Sequence, residues 1–144
     1  MQLHIRPLNE DEIPKMVDVW VKAGLPYRPK GRDSIESLRS QWRADPELFI
    51  GAFEGDLMVG VVLATDERRK AWINRLAVLP DARRRGVAKE IVAYCEKMFR
   101  ERGRGIFCVL IESDNAGSEE LFEALGYKHE KDIHYFAKRD SNEF

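Results

Sequence analysis

The chain is 144 residues long, with 44% hydrophobic residues, 34% charged residues and a formal net charge of −1. That length and balance describe one globular domain, residues 1–144, with a sizeable core. The near-zero charge excludes the strong basic field of a nucleic-acid or anionic-membrane binder, and two cysteines are too few for a disulfide framework.

In chain order, Gln2 to Leu8 reads as a first strand. Asn9 with Glu12 forms a capping box, and Ile13, Met16, Val17, Trp20 and Val21 recur at helical spacing until Gly24. Leu25 to Gly31 is a loop. Asp33 or Ser34 caps a second helix to about Arg43, with Ile35, Leu38 and Trp42 on one face and Pro46 closing it. Leu48 to Phe53 and Leu57 to Ala64 make a hairpin around Glu54-Gly55-Asp56, and Ala71 to Val78 is a further strand. Gly86 to about Arg102 is a long helix with Val87, Ile91, Val92, Cys95, Met98 and Phe99 inward. Ile106 to Ile111 is a continuous apolar run, expected as a central strand covered on both faces. Ala116 to Leu125 is a helix ended by Gly126, and Tyr127 to Glu130 with Ile133 to Lys138 forms a closing hairpin. The fold class is α/β, a mixed sheet of about seven strands with about four helices on both faces. The strands at 71–78 and 106–111 should be parallel, joined by a right-handed crossover.

The junction from Leu76 to Ala88 carries the most chemistry. A strand enters a short loop reading Arg83-Arg84-Arg85-Gly86-Val87-Ala88, and a helix follows at once. The first N–H groups of a helix lack intrahelical partners, and its dipole adds positive charge there. Such a junction suits phosphate, and Gly86 allows close backbone approach. The Lys-Ser/Thr of a P-loop and the glycine pattern of a dinucleotide fold are both missing.

These residues resemble the GNAT superfamily of N-acetyltransferases. The family's Arg/Gln-x-x-Gly-x-Gly/Ala loop is matched by Arg83, Gly86 and Ala88, and its Leu-x-Val followed by Pro by Leu76, Val78 and Pro80. Its later Asn and Leu-Gly-Phe/Tyr are matched by Asn115 and Leu125-Gly126-Tyr127. The resemblance implies acetyl-CoA as cosubstrate and a primary amine as acceptor, with no metal. It implies that backbone N–H groups from Arg84 to Lys89, with Arg83, Arg85, Gly86, Val87 and Ala88 in the same loop, hold the pyrophosphate. The strand around Leu76, Ala77 and Val78 would splay from its neighbour and pair with the pantetheine arm, with Asn115 and Phe122 beside it. An N–H at Val78 would polarise the thioester carbonyl, an effect worth roughly 3–4 kcal/mol per donor in other enzymes.

Two positions depart from the family. Its usual Glu base is Asn74 here, and its usual Tyr acid is Phe122. The substitute candidates are Glu112, Asp114, Asp66, Tyr127 and Tyr135, with chemistry through ordered water and positioning as another route. A non-catalytic acyl-CoA-binding module is the alternative function. Tyr27 and Arg28 lie in the loop that overhangs the acceptor side in this family. No interleaved aromatic platform accompanies the arginines, so nucleic acid is not expected as a partner. His4, His129 and His134 show no metal-ligand spacing. No apolar run approaches a membrane span of about 20 residues, and Met1 to Leu8 is not a signal peptide, so a cytoplasmic setting is expected. The closing hairpin and its strand edge suggest a homodimer surface.

Overall fold

Local signals place the helices. The computed structural model describes residues 2–113 and 115–144. After β1 (Leu3–Pro7), the Asn9 N–H donates to the Glu12 carboxylate at 2.8 Å, and Arg6 clamps that carboxylate with two 2.8 Å contacts. The turn feeds α1 (Ile13–Lys22), which ends before Gly24 at φ +78. Ser34 rather than Asp33 caps α2 (Ile35–Ala44), accepting from the Ser37 N–H at 3.1 Å. Pro46 lies just beyond its end.

β2 (Phe49–Glu54) and β3 (Leu57–Leu63) form the expected antiparallel hairpin. β2 sends Ile50 and Ala52 into one core cluster and Phe49 and Phe53 into the other, the alternation that a strand imposes. α1 and α2 cover one face with Met16, Val19, Trp20 and Leu38. The long helix α3 (Val87–Glu101) covers the other with Val87, Ile91, Val92, Cys95 and Phe99, and α4 (Ala116–Ala124) adds Phe122. Each large buried side chain contributes about 1.5–3 kcal/mol.

The segment expected as one strand from Ala71 to Val78 divides in two. After the short β4 (Thr65–Asp66), β5 (Ala71–Trp72) pairs antiparallel with β4 and parallel with β7 (Phe107–Cys108). β6 (Ala77–Val78) pairs with β3 instead, giving one sheet in the order β1-β2-β3-β6 and a second in the order β4-β5-β7. Arg75 breaks the strand between them with φ +57, left-handed backbone that no continuous strand accommodates. The parallel pairing across α3 is as expected.

Among the described residues there are seven strands, but not the expected seven. Among the described residues, 128–144 form no strand, and Ile133 is 74% and Phe136 91% exposed. The closing hairpin had weak local support, because its Lys131-Asp132 turn lacks the Asn-Gly chemistry that two-residue hairpins favour. The apolar run 106–111 consequently loses its second neighbour. Only Phe107–Cys108 pairs, Ile106 and Leu110 are exposed, and the segment is an edge rather than a covered central strand. The chain end returns to the α1–α2 loop, where the Arg32 N–H donates to the Glu143 carbonyl at 3.2 Å. Among the described residues, no helix is long and apolar enough to cross a membrane.

Candidate functional site

The arginine loop builds an open helix start. Arg84 at φ 66 and Gly86 at φ +79 are both left-handed, separated by a single residue, so the backbone alternates hand as in anion-binding nests. Gly86 offers no side-chain cap, and intrahelical bonding begins with the Glu90 N–H on the Gly86 carbonyl at 3.0 Å. The N–H groups of Val87, Ala88 and Lys89 thus have no protein partner among the described residues. A Cβ at Gly86 would meet nothing within 4 Å, so the approach is open. Gly60 on β3 lets α3 begin close to the sheet, since a Cβ there would press on Ile91 at 2.9 Å and Val87 at 3.0 Å.

Two of the loop arginines have structural partners. Arg85 pairs with Glu54 at 3.0 Å and donates to the Asp81 carbonyl at 2.8 Å. Arg83 donates at 3.3 Å to the carbonyl of Ala23, the C-cap of α1, where a cation complements the helix end. Arg84 is exposed. The loop's anion-binding capacity therefore lies in its backbone more than in Arg83 or Arg85.

The strand ladder is open where the two sheets part, since among the described residues β6 pairs with β3 and with no strand of the second sheet. Ile73 still donates to the Cys108 carbonyl at 2.8 Å, and the next link is made by a side chain, as the Leu110 N–H donates to Asn74 Oδ1 at 2.9 Å. Beyond Asn74 the pairing ends, because the chain turns at Arg75 to join β3. The Leu79 N–H donates to the Val59 carbonyl at 2.9 Å, so Leu79 and Ala77 face β3. Peptide groups alternate in direction along a strand, which turns those of Val78 and Leu76 toward the opening. A polar chain laid there would meet strand-like hydrogen bonding.

The substitute acid and base candidates fare differently. Asn74 is committed to Leu110. Asp66 sits away from the opening, held by Arg104 at 2.7 Å and Arg102 at 2.9 Å. The hydrogen bond from Arg104 outweighs burial and keeps its carboxyl far below the usual carboxylate range, which removes it as a base. The Tyr127 hydroxyl donates to Glu96 at 2.6 Å, and burial, followed by Glu96, pushes its pKa well above the usual tyrosine value. Phe122 is 3% exposed, meets the Tyr127 ring edge-on at 5.0 Å and belongs to the core cluster under α3. Glu112 is exposed beyond the end of β7, and Tyr135 lies in the exposed tail. Asp114 lies outside the described residues. Asn115 caps α4, accepting from the Ser118 N–H at 3.1 Å.

The loop between α1 and α2 and the break at Arg75 hold groups that sequence reasoning missed. Asp33 is 6% exposed and accepts from the Arg28 N–H at 2.7 Å. Arg75 reaches the same carboxylate oxygen at 3.4 Å, donates to the Pro26 carbonyl at 2.8 Å, and stacks 4.3 Å above the Trp20 ring. The capping preference of Asp masked its role, and no local signal marks Arg75 as the break in a strand.

Comparison with known proteins agrees with this geometry. The profile of the acetyltransferase (GNAT) family matches residues 13–127. An acetyltransferase of Sodalis glossinidius is 25% identical over 137 residues, covering 95% of each chain. Among solved structures, the PaiA N-acetyltransferase of Thermoplasma acidophilum in complex with coenzyme A superposes with TM-score 0.76 at 20% identity, over 89% of this chain and 91% of that one. The aminoglycoside N-acetyltransferase AAC(6')-Iy, in complex with a bisubstrate analogue, superposes with TM-score 0.79 at 18% identity, over 96% and 99%. With its strand–loop–helix junction, its parted sheets and a family match over most of its length, the chain belongs to the GNAT acetyltransferase family.

Proposed function

We propose that the protein transfers the acetyl group of acetyl-CoA to the nitrogen of a primary amine by direct attack in a ternary complex. The observation that carries this reading is the partnerless α3 start beside the parted strands. The N–H groups of Val87, Ala88 and Lys89 would hold the pyrophosphate, with the left-handed Arg84 and Gly86 shaping the turn. The peptide groups of Leu76 and Val78 would hold the pantetheine amides, and Asn115 at the start of α4 would border that arm. The Val78 N–H would face the thioester oxygen as negative charge develops on it.

In the transfer the amine nitrogen forms a bond to the acetyl carbon, the carbon–sulfur bond breaks, and coenzyme A leaves as thiolate. The amine must first lose a proton, and the thiolate must gain one. With Asn74 tied to Leu110 and Phe122 buried, solvent takes the amine proton and supplies one to the thiolate, and rate enhancement comes from positioning and from the Val78 peptide. No covalent enzyme intermediate is invoked. The two free cysteines fit a reducing cytoplasmic setting. Structural neighbours include a NatC complex bound to a Gag peptide and an aminoglycoside N-acetyltransferase, so one fold serves different acceptors.

The test is release of coenzyme A thiol from acetyl-CoA across a broad panel of primary amines. Amine-dependent release, rising with pH as the free amine forms, is the expected outcome. The same commitment of Asn74 and Phe122 favours one other reading, an acyl-CoA-binding module without turnover. Binding of acetyl-CoA with no release from any amine would select it.

A further inference from the structure

Arg75 is a half-buried cation with too little negative charge around it. Its side chain is 21% exposed, and its carboxylate partner, Asp33, is shared. The same Asp33 oxygen accepts from the Arg28 backbone at 2.7 Å and lies 3.6 Å from Arg32 Nε, leaving Arg75 a contact of 3.4 Å. Arg28 and Arg32 both lie close enough for their charges to repel Arg75. Two guanidinium groups and a backbone N–H thus share one carboxylate oxygen, with the Arg28 charge close by.

The hydrogen-bond inventory points the same way. Among the described residues, Arg75 Nε, Arg28 Nε and Trp20 Nε1 are all buried without a partner, and Trp20 is the ring under Arg75. Buried N–H donors are rarely left unpaired, because each lost bond costs about 1–3 kcal/mol. Donors, and no acceptors, are in surplus here. Arg75 also pays for its position with left-handed backbone, strain that clusters at functional sites. It adjoins Asn74, the last link before the sheets part.

Resting on the acetyl transfer proposed above, we infer that the acceptor is a small primary amine carrying an anionic group, which the Arg28–Arg75 cluster beside Asp33 receives. Guanidinium forks match carboxylate and phosphate geometry, and such charge-assisted bonds are the strong ones. The surplus positive charge would also disfavour the ammonium form of the bound amine, easing a deprotonation for which Asn74 offers no base. A polycationic amine, by contrast, would be repelled.

The experiment compares amines that are identical except at their far end. Coenzyme A thiol release is measured for ω-aminoalkanoates, their carboxamides, and aminoalkylphosphonates of matched length. The carboxylate or phosphonate should exceed the carboxamide in kcat/KM by about tenfold or more. The better of the two identifies the anion. In Arg28→Gln that ratio should fall toward one, while calorimetric acetyl-CoA affinity is kept. Arg75→Lys, which keeps charge and loses the fork, should lower the ratio without removing it. Equal or better use of the carboxamide overturns the inference, as does a ratio that Arg28→Gln leaves intact. Acetyl-CoA binding with no release from any arm also overturns it. Failure to bind acetyl-CoA at all would strike the transfer reading beneath it.

Discussion

Substitution at Gly86 separates the backbone's geometry from its charge. A Cβ at this position meets nothing within 4 Å, so Gly86→Ala is sterically silent, and its cost is the left-handed φ of +79. That strain is about 1–2 kcal/mol. At about 2–4 °C per kcal/mol it lowers the melting temperature by about 2–8 °C. Gly86→Glu carries the same strain and adds a negative charge at the anion site. A unit charge about 5 Å from a phosphate, in a setting between protein surface and bulk water, is worth about 2 kcal/mol. Calorimetric titration of both variants with coenzyme A should therefore show the Glu variant binding about thirtyfold more weakly than the Ala variant. The gap should narrow as salt is raised. Pantetheine, which lacks the phosphates, should show no such gap. Equal coenzyme A affinity in the two variants would refute the placement of the pyrophosphate at the start of α3.

Further outcomes follow from the packing. Asp66→Asn breaks the contacts to Arg102 and Arg104 and should lower the melting temperature at pH 7. Because the Asp66 carboxyl titrates far below its unfolded value, its stabilisation is present above about pH 4 and is lost as pH falls further. The difference between variant and wild type should shrink in that acid range, and a constant difference would contradict the assignment. Phe122→Tyr restores the family's usual acid in name only. It buries a hydroxyl beside Tyr127, costing about 1–3 kcal/mol, and kcat should not rise. An increase in kcat would return the position to the opening. Burial pushes the Cys95 thiol up to about 12, so a thiol reagent at pH 8 should label native protein at Cys108 and reach Cys95 only on unfolding.

What the residues revealed depended on how local the signal was. The helices were legible because their caps and apolar spacing sit within a few residues, as with Asn9 and Glu12 or Ser34 and Ser37. The β2–β3 hairpin and the Gly86 turn were legible for the same reason. The broken strand was not, because the left-handed Arg75 is held by Trp20, Pro26 and Asp33, which lie 42 or more residues away in sequence. The closing hairpin shows the converse failure. Alternating residues such as Ile133 and Tyr135 fit a strand by pattern, yet nothing in the pattern supplies a turn or a neighbour. At the site, the backbone contribution was readable from one glycine and a helix start. The true employment of Arg83, Arg85, Asp66 and Tyr127 depends on partners from distant elements, which spacing does not encode.

The central claim is that the start of α3 and the parted strands form an acetyl-CoA site, and calorimetric titration of the protein with acetyl-CoA, coenzyme A and ATP tests it most directly. Binding of acetyl-CoA and coenzyme A, with ATP much weaker, is the predicted result, since only the first two carry the pantetheine arm that Leu76 and Val78 would hold. No coenzyme A binding, or a preference for ATP, would contradict it.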